Sequence, residues 1–249
     1  MFTAENDKRT FKGFIPLVTC IVQAATIVIS VMTENHAQMP VSFRNYSFMD
    51  MYVQINSATG SFFTSLFPML LALFLICSMG ENIHELFCYG SRKRMYSVTS
   101  RRIAAYSCVY VLADIISTGV ISVIYKKPFC NWLDPGSYYT MVTGEVNRYA
   151  ALIFIVQTML LIIRTLTYGN LLYSASGRIR IAAFCVCATL GVLDFLHLPI
   201  PLLSGISSLD YSFWRSSGLI RSARIGLCMV IYVVSLNMAY RQNIRKEYY

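Results

Sequence analysis

Long apolar stretches recur along this chain, and short polar segments separate them. A helix needs about 20 predominantly apolar residues to cross the roughly 30 Å of bilayer hydrocarbon. Six stretches are of about that length, and we predict a transmembrane helix in each: residues 14–32, 62–79, 103–125, 149–168, 181–200 and 223–240. They leave no soluble domain of any size. The pattern therefore predicts an all-α polytopic membrane protein in which residues 1–249 form a single transmembrane domain.

The composition and the distribution of charge support this prediction. Hydrophobic residues make up 56% of the chain and charged residues 13%, about half the charged share of a soluble domain. The net charge of +9 would indicate a nucleic-acid partner if the basic residues formed one face. Instead, thirteen basic residues lie on the side of the predicted spans that carries the two termini, and six lie on the other side. Because basic loops stay cytoplasmic, we predict that both termini are cytoplasmic and that nucleic acid is not a partner.

The segments between the spans differ in character. Residues 1–13 are predicted to form a short amphipathic helix on the cytoplasmic surface. The outer segment 33–60 is rich in apolar residues, which predicts that it rests on the membrane surface. A second outer loop, 126–148, carries Trp132 at a position that suits the membrane interface.

A third outer segment lies between spans five and six, and it is interrupted in an unusual way. Pro199, Pro201 and Gly205 break a run that is otherwise apolar. Irregular backbone at membrane depth must be buried in protein or lie beside water. We therefore predict broken or re-entrant helices here.

The chain lacks the sequence signatures of an enzyme. It has no H-E-x-x-H motif, no G-x-S-x-G turn and no G-x-x-x-x-G-K-[ST] phosphate loop. His36, His84 and His197 fall at three different heights, so they predict no metal site. The cysteines form no C-x-x-C pair and are interpreted as small packing residues. We therefore predict no catalytic residues, no metal and no bound cofactor in this chain.

Four charged residues fall within the predicted spans, where a bare charge is costly. Asp114 lies near the middle of span three, and two interpretations are open. It lies on a translocation path or dimer seam, or it is a protonated or hydrogen-bonded residue between helices. Asp194 and Arg224 are predicted to pair near the outer side, and Arg164 lies toward the cytoplasmic end of span four.

Span five also carries small residues at four-residue spacing, namely Ala183, Cys187 and Gly191. Such a stripe allows two helices to approach closely. It predicts a helix contact, either within one subunit or between two subunits.

The cytoplasmic segment between spans two and three combines acidic and basic residues. Glu81 and Glu85 precede the cluster of Arg92, Lys93 and Arg94. The mixed charge is typical of an amphipathic surface helix that docks onto a partner. The alternative is a solvated loop whose basic residues serve only as a topology signal.

This segment resembles the membrane subunit of type-2 ABC exporters, which are compact six-span permeases that pair with a separate ATPase. In that family an acidic residue follows span two, a Gly-Thr comes next, and a Pro-Val-Ser-Arg turn leads into span three. Here the chain has Glu85, then Gly90 and Ser91, then the run from Ser97 to Arg101. The family's proline is absent, and the match covers some twenty residues. The surface helix, the large first outer loop and the broken helices resemble the family's layout along the whole chain.

The resemblance implies a cytoplasmic coupling helix between spans two and three that contacts the ATPase. The residues implied in that contact are Glu81, Glu85, Gly90, Arg92, Lys93 and Arg94. It further implies an ABC ATPase subunit that carries ATP and Mg²⁺, a second permease subunit, either identical or homologous, and a bacterial cytoplasmic membrane as the location. The alternative is a non-transporting polytopic membrane protein, such as a sensor, an immunity factor or an assembly factor.

Overall fold

The computed structural model describes residues 18, 21, 22, 24, 25, 45–57, 60, 62, 66–79, 90–196 and 210–245. Within these residues the regular secondary structure is entirely helical, with no strand. The all-α prediction is therefore confirmed for the described part of the chain. The predicted surface helix 1–13 and most of span 14–32 lie outside the described residues.

Eight helices are described, and we number them in chain order: α1 (Phe48–Ile55), α2 (Phe67–Met79), α3 (Arg92–Ile124), α4 (Tyr138–Thr143), α5 (Ala150–Ser174), α6 (Gly177–Phe195), α7 (Tyr211–Arg215) and α8 (Gly218–Arg245). Three of the described helices, α3, α5 and α8, are long and apolar enough to span a membrane, which is compatible with a membrane protein. α2 has only 13 residues, or about 20 Å, and α6 contains Arg178, Arg180 and Asp194. The count of six spans and the orientation remain predictions.

The longest helix, α3, has polar residues inside the bundle and apolar residues outside. This is the reverse of a helix on the surface of a soluble protein. Ser107, Asp114 and Thr118 are buried. The large apolar side chains that α3 exposes include Leu112, Ile116, Val120, Val123 and Ile124, of which Val123 is 77% exposed. The outer face of α3 therefore fits lipid better than water.

α3 begins eleven residues before the predicted span 103–125, because a local cap starts the helix there. Gly90 has a left-handed conformation, with φ of 66°, and the Arg94 amide donates a hydrogen bond to the Ser91 hydroxyl at 3.3 Å. The helix then runs for 33 residues without a break, or about 50 Å, which exceeds the roughly 30 Å of hydrocarbon. Its first turn, which includes the exposed Lys93, therefore extends beyond the part that could lie in the membrane.

One end of the bundle, which we call the aromatic end, gathers residues from all three predicted outer segments. The rings of Trp132 and Tyr139 stack with centroids 4.3 Å apart, and the Tyr211 ring lies 5.5 Å from that of Tyr139. α1 joins them, since the Phe48 amide donates to the Pro128 carbonyl at 2.9 Å. The described parts of these three segments thus share one end.

At the opposite end, which we call the basic end, the start of α3 meets the ends of α5 and α8. The Tyr96 ring stacks on Tyr173 with centroids 5.9 Å apart and meets Tyr240 edge-on at 5.4 Å. The Asn243 amide donates to the Tyr173 carbonyl at 2.9 Å. The described segments that were predicted to be cytoplasmic therefore also share one end.

The prediction that segment 33–60 rests on the membrane surface is wrong for its described part. Seven of the eight residues of α1 are buried, because α1 packs its aromatic side chains into the bundle. The rings of Phe48 and Tyr52 lie 6.0 and 5.2 Å from that of Phe154 on α5. Trp132, predicted at the interface, is also fully buried. α1 therefore forms a plug inside the aromatic end.

The end of α5 is held by Arg180 of α6. Its Nε atom donates to the carbonyls of Leu172 and Ala175 at 3.1 and 3.2 Å, and its Nη2 atom donates to Ala175 at 2.8 Å. Its Nη1 atom also reaches the Ser78 hydroxyl of α2 at 3.4 Å. Arg180 is one of the thirteen basic residues that the sequence assigned to the side of the two termini. The structure shows a buried cation that caps a helix.

Two glycines allow helices to approach closely. α5 packs against α2, α3, α6 and α8, and a Cβ atom at its Gly169 would collide with Ile103 and lie 3.3 Å from the Leu73 Cδ2 atom. A Cβ atom at Gly191 of α6 would collide with the end of the Leu66 side chain. Gly191 therefore packs within this chain, which favours the intrasubunit interpretation for this part of the small-residue stripe.

We expect Gly169→Ala to lower the free energy of unfolding by about 1–3 kcal/mol, the usual cost of overpacking a core. The neighbour at this position is Ile103, whose branched side chain is stiff. Gly191→Ala is the matched control and should cost less, because the end of Leu66 can rotate away. Thermal unfolding of both variants in the same detergent measures the difference. Equal shifts would contradict the role of Ile103.

Candidate functional site

Buried polar residues run along the inside of the bundle, and we call them the polar seam. α3 packs against both α1 and α5, and the polar side chains lie on the faces that these helices turn toward one another. The seam consists of Tyr52 on α1 and Asn56 at its C-terminal cap, Ser107, Asp114, Thr118 and Ser122 on α3, and Gln157, Thr158, Arg164, Thr165, Thr167 and Asn170 on α5. All of them are buried except Thr158, which is half-buried.

Asp114 ties the middle of α3 to the end of α1. Its Oδ2 atom accepts a hydrogen bond from the Asn56 side-chain amide at 2.7 Å. The same amide group donates to the Tyr52 carbonyl at 2.9 Å, which places Asn56 as the cap of α1. Of the two interpretations of Asp114, the interhelical hydrogen bond is present. The role of Asp114 on a translocation path remains a prediction.

Arg164 lies farther from the end of its helix than was predicted, because α5 continues to Ser174. It is buried, and its charge acts on the Tyr52 hydroxyl together with that of Asp114. Its charge also acts on the Cys228 thiol of α8. The Tyr52 hydroxyl is itself within 3.1 Å of the Thr158 hydroxyl. The structure thus brings Asp114 and Arg164 into one buried neighbourhood around Tyr52.

Gln157 contributes an amide group to the buried face of α5. It is fully buried, and its two amide atoms make no hydrogen bond to the described residues. Buried amides are nearly always hydrogen-bonded in folded proteins. The side-chain amide of Gln157 thus adds to the polar seam a donor and an acceptor that the described residues do not satisfy.

Asp194 and Arg224, which were predicted to pair, lie on α6 and α8. Asp194 is buried near the end of α6, and Arg224 is half-buried in the second turn of α8. The charge of Arg224 acts on Cys228, as that of Arg164 does. The pairing of Asp194 with Arg224 remains a prediction.

The aromatic end is organised around a second carboxylate, and we call Asp50, Ser47, Trp132 and Tyr211 the Asp50 hub. The Oδ1 atom of Asp50 accepts from Trp132 Nε1 at 2.8 Å and from the Tyr211 hydroxyl at 2.6 Å. Its Oδ2 atom accepts from the Ser47 amide at 2.8 Å and from the Ser47 hydroxyl at 2.6 Å. The two oxygens of this fully buried carboxylate thus accept four hydrogen bonds in total.

The electrostatics of the hub follow from this burial. Desolvation raises the pKa of Asp50, and the hydrogen bonds from Ser47, Tyr211 and Trp132 oppose that shift. Burial and the adjacent Asp50 charge hold the pKa of Tyr211 well above its usual value. Tyr211 therefore keeps its proton and remains a donor to Asp50.

Sequence reasoning missed the Asp50 hub. One local signal was available, since Ser47 and Asp50 have the spacing of a capping box, and both halves of that box are present in the structure. Trp132 and Tyr211 lie 82 and 161 residues away from Asp50, so no local pattern could connect them.

The predicted ATPase contact is only partly described. Glu81 and Glu85 lie outside the described residues. Gly90 precedes α3, and Arg92, Lys93 and Arg94 form its first turn, where the latter two are exposed. Their contact with an ATPase remains a prediction.

Among the described residues, no three His, Cys, Asp or Glu side chains are grouped so that they could hold a metal ion. The three histidines lie outside the described part of the chain. A scan against protein-family models, a search of curated proteins and a search of solved structures found no match to this chain. Its function is therefore inferred from its own residues.

Proposed function

We propose that this chain is the membrane permease subunit of an ATP-driven ABC exporter. It pairs with a separate ATPase subunit, which carries ATP and Mg²⁺, and with a second permease chain. The observation that carries the proposal is α3, which joins an exposed basic turn to the buried polar seam in one unbroken helix.

α3 supplies a mechanical connection between the two places. Arg92 and Asp114 are 22 residues apart on this helix, or about 33 Å along its axis. A continuous helix moves as one body, because each turn is hydrogen-bonded to the next. Displacement of the basic turn by a partner therefore moves Asp114, and with it Asn56 and the plug formed by α1.

The polar seam supports a path through the bundle. Ionisable groups inside a membrane bundle are costly and mark substrate or ion paths. Here Asp114 and Arg164 share a neighbourhood with hydroxyl and amide groups, while the outer face of α3 is apolar. This distribution is the one expected when polar cargo, or the polar part of an amphipathic cargo, passes between helices rather than along the lipid.

The test is a charge reversal at the basic turn. We expect Lys93→Glu/Arg94→Glu to reduce the amount of ATPase that co-purifies with the chain by about tenfold, because the two exposed charges would repel an acidic groove that had attracted them. Acidic residues at a helix start stabilise the helix, so α3 should remain folded. Pull-down from native membranes, with the ATPase identified by mass spectrometry, measures the effect.

The matched control is Lys126→Glu/Arg148→Glu, which makes the same change in charge at exposed residues of the loop between α3 and α5. It should leave the pull-down unchanged. If both variants lose the same amount of ATPase, the basic turn of α3 is not the specific ATPase contact. If no ATPase accompanies the wild-type chain, the permease proposal fails, and a sensor, immunity or assembly role is favoured.

A further inference from the structure

The Asp50 hub joins three segments that are distant in sequence. The two carboxylate oxygens of Asp50 bind different sets of donors. Oδ2 binds Ser47 within the start of α1, so it serves the local helix cap. Oδ1 binds Trp132 from the loop between α3 and α5, and Tyr211 from α7. Only the Oδ1 side therefore connects one segment to another.

The three segments are not held equally well. α1 and the loop 126–149 are joined by backbone bonds as well, from Phe48 to Pro128 at 2.9 Å and from Met49 to Phe129 at 3.2 Å. For the segment 210–217, Ser217 accepts hydrogen bonds from the amides of Ile220 and Arg221 in the first turn of α8. The hydrogen bond from Tyr211 to Asp50 joins the segment to α1.

The other contacts of segment 210–217 are less directional. The Tyr211 ring lies edge-on to Tyr138 and Tyr139, with centroids 5.9 and 5.5 Å away, and Phe213 and Trp214 are buried. Apolar contacts of this kind depend mainly on the area removed from water. The short bond between Tyr211 and Asp50 is therefore the directional contact between this segment and α1.

α1 also links the Asp50 hub to the polar seam. Asp50 and Asn56 are six residues apart along α1 and its cap, or about 9 Å. Asp50 binds Tyr211 at one end of this plug, and Asn56 binds Asp114 at the other. α1 therefore connects Asp114 to segment 210–217 through two hydrogen bonds.

We propose that the bond between Asp50 and Tyr211 is a latch that holds segment 210–217 against the aromatic end of the bundle, and that this segment moves away from the bundle when the permease opens. The gating role rests on the permease function proposed above. The latch itself does not, because it concerns the chain alone.

Hydrogen exchange measured by mass spectrometry on the full chain in lipid nanodiscs tests the latch. The amides of Phe213, Trp214 and Ser216 are hydrogen-bonded inside the segment. A helix as short as α7 is not stable without its packing, so these bonds break and the amides exchange once the segment leaves the bundle. We expect Tyr211→Phe to speed exchange in 210–217 by about tenfold, because it removes a hydrogen bond to a charged acceptor. The loop 126–149 should stay protected, since its backbone bonds to α1 remain.

Two variants serve as matched controls. Tyr139→Phe also removes one tyrosine hydroxyl at the aromatic end, but that hydroxyl accepts from Asn147 of the same loop. Ser47→Ala removes the hydroxyl on the Oδ2 side of Asp50. Neither variant should change exchange in 210–217. If Tyr211→Phe exchanges like wild type, or if both controls match it, the latch is overturned.

The gating role is tested on the chain in complex with its ATPase, trapped with ATP and vanadate. We expect trapping to speed exchange in 210–217 of the wild type. Unchanged exchange in a trapped complex overturns the gate. If no ATPase binds, the permease proposal fails, and the isolated chain still decides the latch.

Discussion

Asp50→Ala is expected to lower the free energy of unfolding by about 3–5 kcal/mol, because several buried donors lose their acceptor at once. The substitution leaves Trp132 Nε1, the Tyr211 hydroxyl and the Ser47 amide without their acceptor. Each orphaned buried donor costs about 1–3 kcal/mol, and the surrounding residues recover part of that sum by relaxing. Unfolding in denaturant, followed by circular dichroism in one detergent, measures the loss.

The control for this prediction is Glu145→Ala, which removes an exposed carboxylate from the loop between α3 and α5. Exposed substitutions away from such networks usually stay within about 0.5 kcal/mol. If Asp50→Ala is as mild as Glu145→Ala, the donors around Asp50 find other acceptors and the hub is not a structural centre of the aromatic end.

The apolar pattern predicts the membrane-facing part of a helix better than the helix itself. The predicted span 149–168 begins within one residue of α5, which starts at Ala150, but α5 continues to Ser174. The predicted span ended at residue 168, before polar residues such as Asn170. They are buried against neighbouring helices, so their polarity reflects the polar seam and not water.

The start of α3 was missed for a related reason. Arg101 and Arg102 interrupt the apolar pattern, so the predicted span began at residue 103. The helix starts at Arg92 instead, because the Ser91 cap satisfies a backbone amide there and the helix continues through polar residues. Hydropathy indicates whether a residue lies in a polar or an apolar environment, whereas a capping residue indicates where a helix begins.

The two carboxylates differ in how visible they were in the sequence. Asp114 was found because a charge stands out inside an apolar stretch. Asp50 lies between predicted spans, where acidic and aromatic residues are ordinary. Its importance depends on Trp132 and Tyr211, and only the folded chain brings these residues to it.

Arg180→Ala is expected to lower the free energy of unfolding by about 2–4 kcal/mol. Arg180 is 2% exposed, and its guanidinium binds the carbonyls of Leu172 and Ala175 at the end of α5. Hydrogen bonds to charged groups contribute about 1.5–3 kcal/mol, and a cation at a helix C-terminus contributes up to about 2 kcal/mol more when it is partly buried. Chemical unfolding of the purified variant measures the loss.

Two further variants separate the causes. Arg178→Ala removes an exposed arginine two residues earlier, and it should stay within about 0.5 kcal/mol of wild type. Arg180→Lys keeps the charge but loses the planar fork that reaches two carbonyls and Ser78 at once, so it should recover only part of the stability. Full recovery with lysine would show that charge alone holds the end of α5. A loss equal to that of Arg178→Ala would show that water replaces the cap, and α5 would then be held by packing against α2, α3 and α8.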